Sequence, residues 1–284
     1  MTGEPEILVL RDAEAIAGEA AARFAAAVEE GVAERGRADI ALTGGSSAGA
    51  LYRRLADSPW RERVDWTRLH LWWGDERLVP NDHPESNAGL VYSILLDIGA
   101  RTTQSGEGAA STDVLAGHEA GATVPADQVH PFPVSEAIGR GDGGGAWAAE
   151  QYAEQLRSML PAGQDGLPAF DLILLGVGSD GHIFSVFPDS AALAPDAPLA
   201  LSIPAPDHIS PHVPRLTLNP RLLETARQVL VMVPGSSKAE IIEQVLGPER
   251  DSRRWPAQLA RRANTTWLLD ESSAARLSLD ERTR

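Results

Sequence analysis

Residues Phe170 to Pro188 read Phe-Asp-Leu-Ile-Leu-Leu-Gly-Val-Gly-Ser-Asp-Gly-His-Ile-Phe-Ser-Val-Phe-Pro. The apolar run Leu172 to Leu175 has the length and character of a central parallel strand buried on both faces. Gly176, Gly178 and Gly181 follow at a spacing that lets the backbone turn sharply and approach a ligand, where a Cβ would hinder it. Asp180 and His182 lie on the same turn. In open α/β sheets ligands bind outside the carboxyl ends of the strands, so a general base and its orienting carboxylate are expected at such a place. A plain tight strand exit with a satisfied turn histidine fits these residues about equally well, because Gly-x-Gly alone specifies little.

Similar units recur on both sides. Ile7 to Leu10 reads as a strand, and Asp12 as the N-cap of an Ala-rich helix that Gly36 stops after about Arg35. Ala38 to Thr43 is a short apolar strand that runs into Gly44-Gly45-Ser46-Ser47, and Leu51, Tyr52 and Leu55 mark one face of the helix beyond. A strand, a glycine turn and a helix N-terminus in succession can hold an anion, because free N–H groups and the helix dipole converge there. The turn lacks the Gly-Lys-Ser/Thr of a phosphate-binding P-loop and is not Gly-x-Gly-x-x-Gly, so an ordinary turn capped by Ser46 or Ser47 remains an alternative.

Leu69 to Trp73 is another buried strand, ending in Gly74-Asp75-Glu76-Arg77-Leu78-Val79-Pro80; a polar loop, Asn81 to Asn87, then leads into a helix with Leu90, Val91, Ile94 and Leu95 on its apolar side. Asp127 to Pro131 returns to the scaffold, and Trp147, Tyr152, Leu156 and Leu160 mark a helix. After a Pro- and Ala-rich connection comes His212-Val213-Pro214-Arg215-Leu216-Thr217-Leu218, in which Arg215 could be a surface residue ahead of a helix at Pro220. Val229 to Val233 is a strand, Ser237 and Glu240 form a capping-box pattern, and Pro256 to Ala263 and Thr265 to Leu269 read as a short helix and a last strand. Lys238 falls in the first helical turn, where a cation is unfavourable unless an anion lies nearby. Strands alternating with helices predict a doubly wound, mostly parallel α/β sheet flanked by helices on both faces, Rossmann-like, as one domain over 1–284. From Arg101 to Val124 no periodicity holds, and a mobile insertion is expected.

Composition narrows the function classes. With 284 residues and 43% hydrophobic content the chain can bury a sizeable core. The absence of cysteine excludes disulfides, thiol catalysis and cysteine-based zinc sites. Lys plus Arg 25 against Asp plus Glu 40 gives a net charge of -15, which argues against a nucleic-acid binder and requires a local basic pocket for any anionic substrate. No basic leader or apolar run of membrane length is visible, so a cytoplasmic protein without membrane association is expected. His118 and His130 lack partners at metal-ligand spacing, and neither a metal nor an organic cofactor is expected.

Asp180-Gly181-His182-Ile183 followed by Ser185-Val186-Phe187-Pro188 resembles the signature loop of the 6-phosphogluconolactonases, lactone hydrolases of the pentose phosphate pathway that share a fold with glucosamine-6-phosphate deaminases. Gly-Asp-Glu-Arg-x-Val-Pro from Gly74 with Ser86-Asn87 is the most specific match, Gly44-Gly45-Ser46 a second, and Pro214-Arg215-Leu216-Thr217 with Lys238 a further one. The resemblance implies hydrolysis of 6-phosphoglucono-1,5-lactone by a monomer or homodimer. His182 would be the base, Asp180 its orienting group, and Asp75 a residue facing the sugar. Gly44, Gly45, Ser46, Ser47, Arg77, Arg215 and Lys238 would hold the phosphate, and backbone N–H groups from Gly178 to Gly181 the oxyanion. Glu76 is left between pocket and structural partner. The chain departs from the family in Ser47-Ala48-Gly49, where Thr-Pro is usual, and in Ile183, which looks more like the deaminases. Phe187, however, stands where deaminases place the glutamate that pairs with their histidine, which favours the lactonase over the deaminase. A non-catalytic sugar-phosphate sensor on the same fold is a third reading, disfavoured because such sensors normally append a DNA-binding domain.

Overall fold

A computed structural model describes residues 3–96 and 124–278. The insertion expected at 101–124 lies outside the described residues except for Val124, which is buried, and His118 lies outside them as well. The strands are β1 Glu6–Leu10, β2 Ala38–Leu42, β3 Leu69–Trp73, β4 Asp75–Arg77, β5 Val129–His130, β6 Leu172–Leu175, β7 Ala200–Ile203, β8 Arg215–Leu218, β9 Gln228–Val233 and β10 Thr265–Asp270. The helices are α1 Ala13–Arg35, α2 Ser46–Ala56, α3 Trp60–Arg63, α4 Asn87–Ile94, α5 Val134–Arg140, α6 Gly144–Met159, α7 Leu222–Thr225 and α8 Ala239–Leu246.

Seven strands form a parallel sheet in the order β1-β10-β9-β6-β2-β3-β5. Every residue of β2 and of β6 is buried, as the continuous apolar runs require of strands covered on both faces. From β2 the chain winds outward through β3 and β5, then returns to β6 on the other side and winds outward through β9 and β10. The sheet is therefore doubly wound, with its switch point between β2 and β6, where such sheets open a crevice at the strand carboxyl ends.

Helix α1 begins as its sequence indicates, with Asp12 accepting from the Ala15 N–H at 2.8 Å, and Gly36 ends it in the left-handed region. It buries Ile16, Phe24 and Val28 and lies against β2, β9 and β10. Trp72, Tyr152, Phe132 and Phe170 form an aromatic group under β3, in which Tyr152 and Phe132 stack at 3.8 Å. The aromatics of the helix from Gly144 are thus scaffold, apart from the half-buried Trp147.

Three features differ from the sequence reading. A second sheet, antiparallel and three-stranded in the order β4-β8-β7, crosses the carboxyl end of the first. Gly74 joins the two, its N–H donating to the Leu42 carbonyl at 2.8 Å and its own carbonyl accepting from Leu218 at 2.8 Å. Asp75 to Arg77 and Arg215 to Leu218 are therefore strands, not loop and surface; three- and four-residue strands carry too little alternation to be told from turns. Helix α5 was not anticipated, because Val134 to Arg140 gives only two buried positions. The capping box at Ser237 does not form. Ser236–Lys238 makes a 3-10 turn, α8 starts at Ala239 with Lys238 at its N-cap position, and no side chain caps it.

Candidate active site

Three strand ends deliver three glycine-containing turns to the switch point. After β2 the chain passes Thr43 and Gly44 into α2, whose N-cap is Gly45 at φ 91, a backbone conformation open chiefly to glycine. A Cβ on Gly44 would lie 1.8 Å from Asn87 Oδ1, so this close approach also demands glycine. No side chain caps α2 and its first turn has no acidic residue, which leaves the positive helix end to a ligand. After β9, the turn through Gly235 brings Lys238 across the crevice, where Nζ donates to the Val177 carbonyl at 2.7 Å. These turns, with β4 and β8, enclose a pocket of about 310 Å³ lined by Thr43 to Ala48, Asp75, Arg77, Asn87, Gly176 to Gly178, His182, Arg215, Ser237 and Lys238 among others.

Its charge is concentrated in three cations. Arg77 and Arg215 are direct register partners across β4 and β8. Arg215 is buried and donates through Nη2 to the Pro211 carbonyl at 2.9 Å, while Arg77 Nη1 donates to the Glu85 carbonyl at 2.5 Å. Burial, then the positive charge of Arg77, pulls the Arg215 pKa down, and burial lowers that of Lys238 against the pull of Asp180. Like charges placed opposite one another and partly desolvated are unfavourable unless an anion joins them.

On the turn after β6, His182 Nδ1 stands 2.6 Å from Asp180 Oδ1, which also accepts from the His182 N–H at 3.2 Å. A carboxylate only accepts, so the pair fixes the proton on Nδ1 and leaves the lone pair on Nε2. The Asp180 carboxyl is held well below the usual range: burial opposes ionisation, and the His182 and His208 imidazoles more than offset it. Gly178 makes the hairpin possible, since a Cβ there would fall 2.0 Å from His182 Nδ1.

Asp75 lines the pocket with both oxygens engaged. Oδ2 accepts from Ser185 Oγ at 2.7 Å and Oδ1 from Asn87 Nδ2 at 3.2 Å, so it ties the histidine loop to α4. Glu76 is a structural partner. Its carboxylate accepts from the N–H groups of Arg77, Asn87 and Ala88 and from Ser86 Oγ at the start of α4, while burial pushes its pKa up to about 7.

Residues 11–268 match the family model described as glucosamine-6-phosphate isomerases/6-phosphogluconolactonase. The chain belongs to this family. A 6-phosphogluconolactonase of Streptomyces coelicolor is 33% identical over 282 residues, spanning 98% of this chain and 96% of that protein. The solved 6-phosphogluconolactonase of Trypanosoma brucei is 27% identical, with a TM-score of 0.78 over 97% of this chain and 99% of its own. A monomeric glucosamine-6-phosphate deaminase, 17% identical with a TM-score of 0.71, shares the fold.

Within this family fold, Gly44, Gly45, Ser46, Ser47, Asp75, Arg77, Gly178, His182, Arg215 and Lys238 all line the one pocket. Asp180 stands behind His182 and reaches the pocket only through it. Gly181 faces away, at φ 84 with Trp255 and Ile241 against it, and its carbonyl accepts from Ala257. Nor can Gly178 and Gly181 furnish oxyanion donors, since the Gly178 N–H donates to the His182 carbonyl at 2.9 Å and the Gly181 N–H to the Gly178 carbonyl at 3.1 Å. Sequence reasoning missed the roles of Ser185 and Asn87, though both sit in motifs it quoted, and it missed His208 altogether, which lies in an aperiodic loop 28 residues from its partner Asp180. Among the described residues no group of three or more His, Asp or Glu could hold a metal ion, and no helix is long and apolar enough to cross a membrane.

Proposed function

We propose that this chain hydrolyses 6-phosphoglucono-1,5-lactone to 6-phosphogluconate. The observation that carries the reading is the His182–Asp180 pair set in the same pocket as Arg77, Arg215 and Lys238. The guanidinium forks and the open end of α2 take the phosphate, which orients the lactone ring. A lactone carbonyl is already electrophilic, so one base suffices. His182 Nε2 removes a proton from a water as its oxygen attacks the carbonyl, and Asp180 stabilises the imidazolium formed. The ring C–O bond then breaks, its oxygen takes the proton back from His182, and the acid released ionises.

The deaminase reading asks for a second ionisable group beside the histidine. Phe187 occupies that place, its ring centroid 4.8 Å from that of His182. The test is a pair of assays on the purified protein, acid release from the lactone and ammonia release from glucosamine 6-phosphate. Lactone hydrolysis with no ammonia above background is expected, and His182→Asn should lower it by about two to four decades. Ammonia without lactone hydrolysis would overturn the assignment and leave the fold untouched.

A further inference from the structure

The connection between β7 and β8 carries a histidine that meets the catalytic turn without lining the pocket. His208 Nε2 lies 3.0 Å from Asp180 Oδ2, while His182 Nδ1 holds Oδ1 at 2.6 Å. One carboxylate is thus gripped by two imidazoles. The Phe187 ring packs near both, with centroids 4.8 Å from His182 and 5.6 Å, edge-on, from His208. The other nitrogen of His208, Nδ1, is 3.2 Å from Asp207 Oδ1. Both ring nitrogens therefore face carboxylate oxygens, an arrangement completed only by the doubly protonated ring. The loop is held in turn by Arg215, which donates to the Pro211 and Val213 carbonyls, so the phosphate cluster and the His208 loop share a support.

We propose that His208 is a positioning residue that fixes the Asp180 carboxylate and, by drawing on its charge, sets the basicity of His182. This rests on His182 acting as the base. As a mere loop tether the contact is weak, since His208 is 47% exposed and ion pairs in that setting contribute little to folding. Its effect on Asp180 is larger because Asp180 is well shielded and has few other partners: His182 and His208 bind its oxygens, and Lys238 acts on it through space. The groups facing His208 are Asp207 on its own loop and Asp180 on the turn after β6; together they raise its pKa above the ordinary value.

The sign follows from sharing one negative charge. While His208 is charged, His182 sees a partly neutralised Asp180, and its imidazolium is less stabilised than it would be alone with Asp180. His208→Ala should therefore move the acid limb of the kcat/KM profile to higher pH by about half a unit to one unit. The plateau kcat should fall several-fold as Asp180 loses its second support, with KM nearly unchanged because His208 does not line the pocket. His208→Gln, which can keep a neutral N–H on Asp180, should recover the plateau but not the position of the acid limb. The pKa of His182 is read directly by imidazole NMR titration in wild type and both variants, with no need of turnover. An unmoved His182 titration and superimposable acid limbs would overturn the proposal while leaving the lactonase reading intact, and so would a rise in KM at constant kcat. A wild-type protein inert to the lactone would sink the lactonase reading, and the NMR titration would still decide this one.

Discussion

Arg77 and Arg215 stand directly opposite one another in the antiparallel pair of β4 and β8, two guanidinium groups on facing register positions at the mouth of one pocket. The small second sheet is what brings them there. Opposed like charges cost stability; Glu85 Oε2, 3.5 Å from Arg77 Nη1, offsets part of that cost, and an anion between the strands and the open end of α2 would offset more.

Arg77→Gln tests this. Without ligand the unfolding temperature should stay within a few degrees of wild type, because the lost contact to the Glu85 carbonyl is offset by relief of Arg215. Inorganic phosphate should raise the wild-type unfolding temperature and raise that of the variant much less. KM for the phosphorylated lactone should rise about 10- to 100-fold, the worth of one to two charge-assisted hydrogen bonds, with kcat less affected. An equal phosphate response in both proteins would remove Arg77 from the anion site.

Asp180→Asn should leave the hairpin folded and lower kcat by roughly 10² to 10⁴, because an amide can offer His182 Nδ1 a donor and drive the proton onto Nε2, where the base must be free. KM should change little. Steady-state kinetics with circular dichroism of the folded variant checks it, and a kcat within a factor of two of wild type would show that the tautomer does not matter.

Gly178→Ala places a methyl group 2.0 Å from His182 Nδ1 and 2.6 Å from Asp180 Oδ1. The imidazole must swing away from its carboxylate, and turnover should fall at least about tenfold, given how steeply catalysis depends on the position of the base. Phosphate binding, read by the same thermal shift, should persist, since Lys238 and the two arginines are untouched.

These variants bear on how much could be read without coordinates. The long elements were legible: α1 from Asp12 and Gly36, and β6 from four consecutive apolar residues, because caps and buried runs are local signals. The glycine turns and the charged residues after the strands were legible as pocket residues only through the family resemblance, since their local signals fit a capped turn and surface charges as well. What escaped depends on pairing between distant segments. Asp75 to Arg77 becomes a strand only beside Arg215 to Thr217, and His208 acquires a role only when its loop folds back on Asp180. Gly181 was misplaced because a glycine required by φ 84 and one required by a ligand look alike in a sequence.

His130 gives a pH dependence unconnected with catalysis. Its ring stacks on Trp72 at 4.1 Å, its Nε2 lies 3.0 Å from His70 Nδ1, and its Nδ1 faces the Gln155 amide at 3.2 Å. An amide donating to Nδ1 and an Nε2–H donating to His70 describe a neutral ring. Burial first, then the positive charges of His70 and Arg37, lowers the His130 pKa to about 4, and burial lowers that of His70 as well. The unfolded chain takes up protons near pH 6.5 while the folded one resists, so this contribution to stability is whole above about pH 6.5 and is lost as pH falls through about 4. Urea unfolding should weaken by on the order of 1 to 3 kcal/mol over that window. His130→Phe, which keeps a ring against Trp72, should flatten the slope whatever its absolute stability. A slope identical to wild type would mean that the acid sensitivity arises elsewhere.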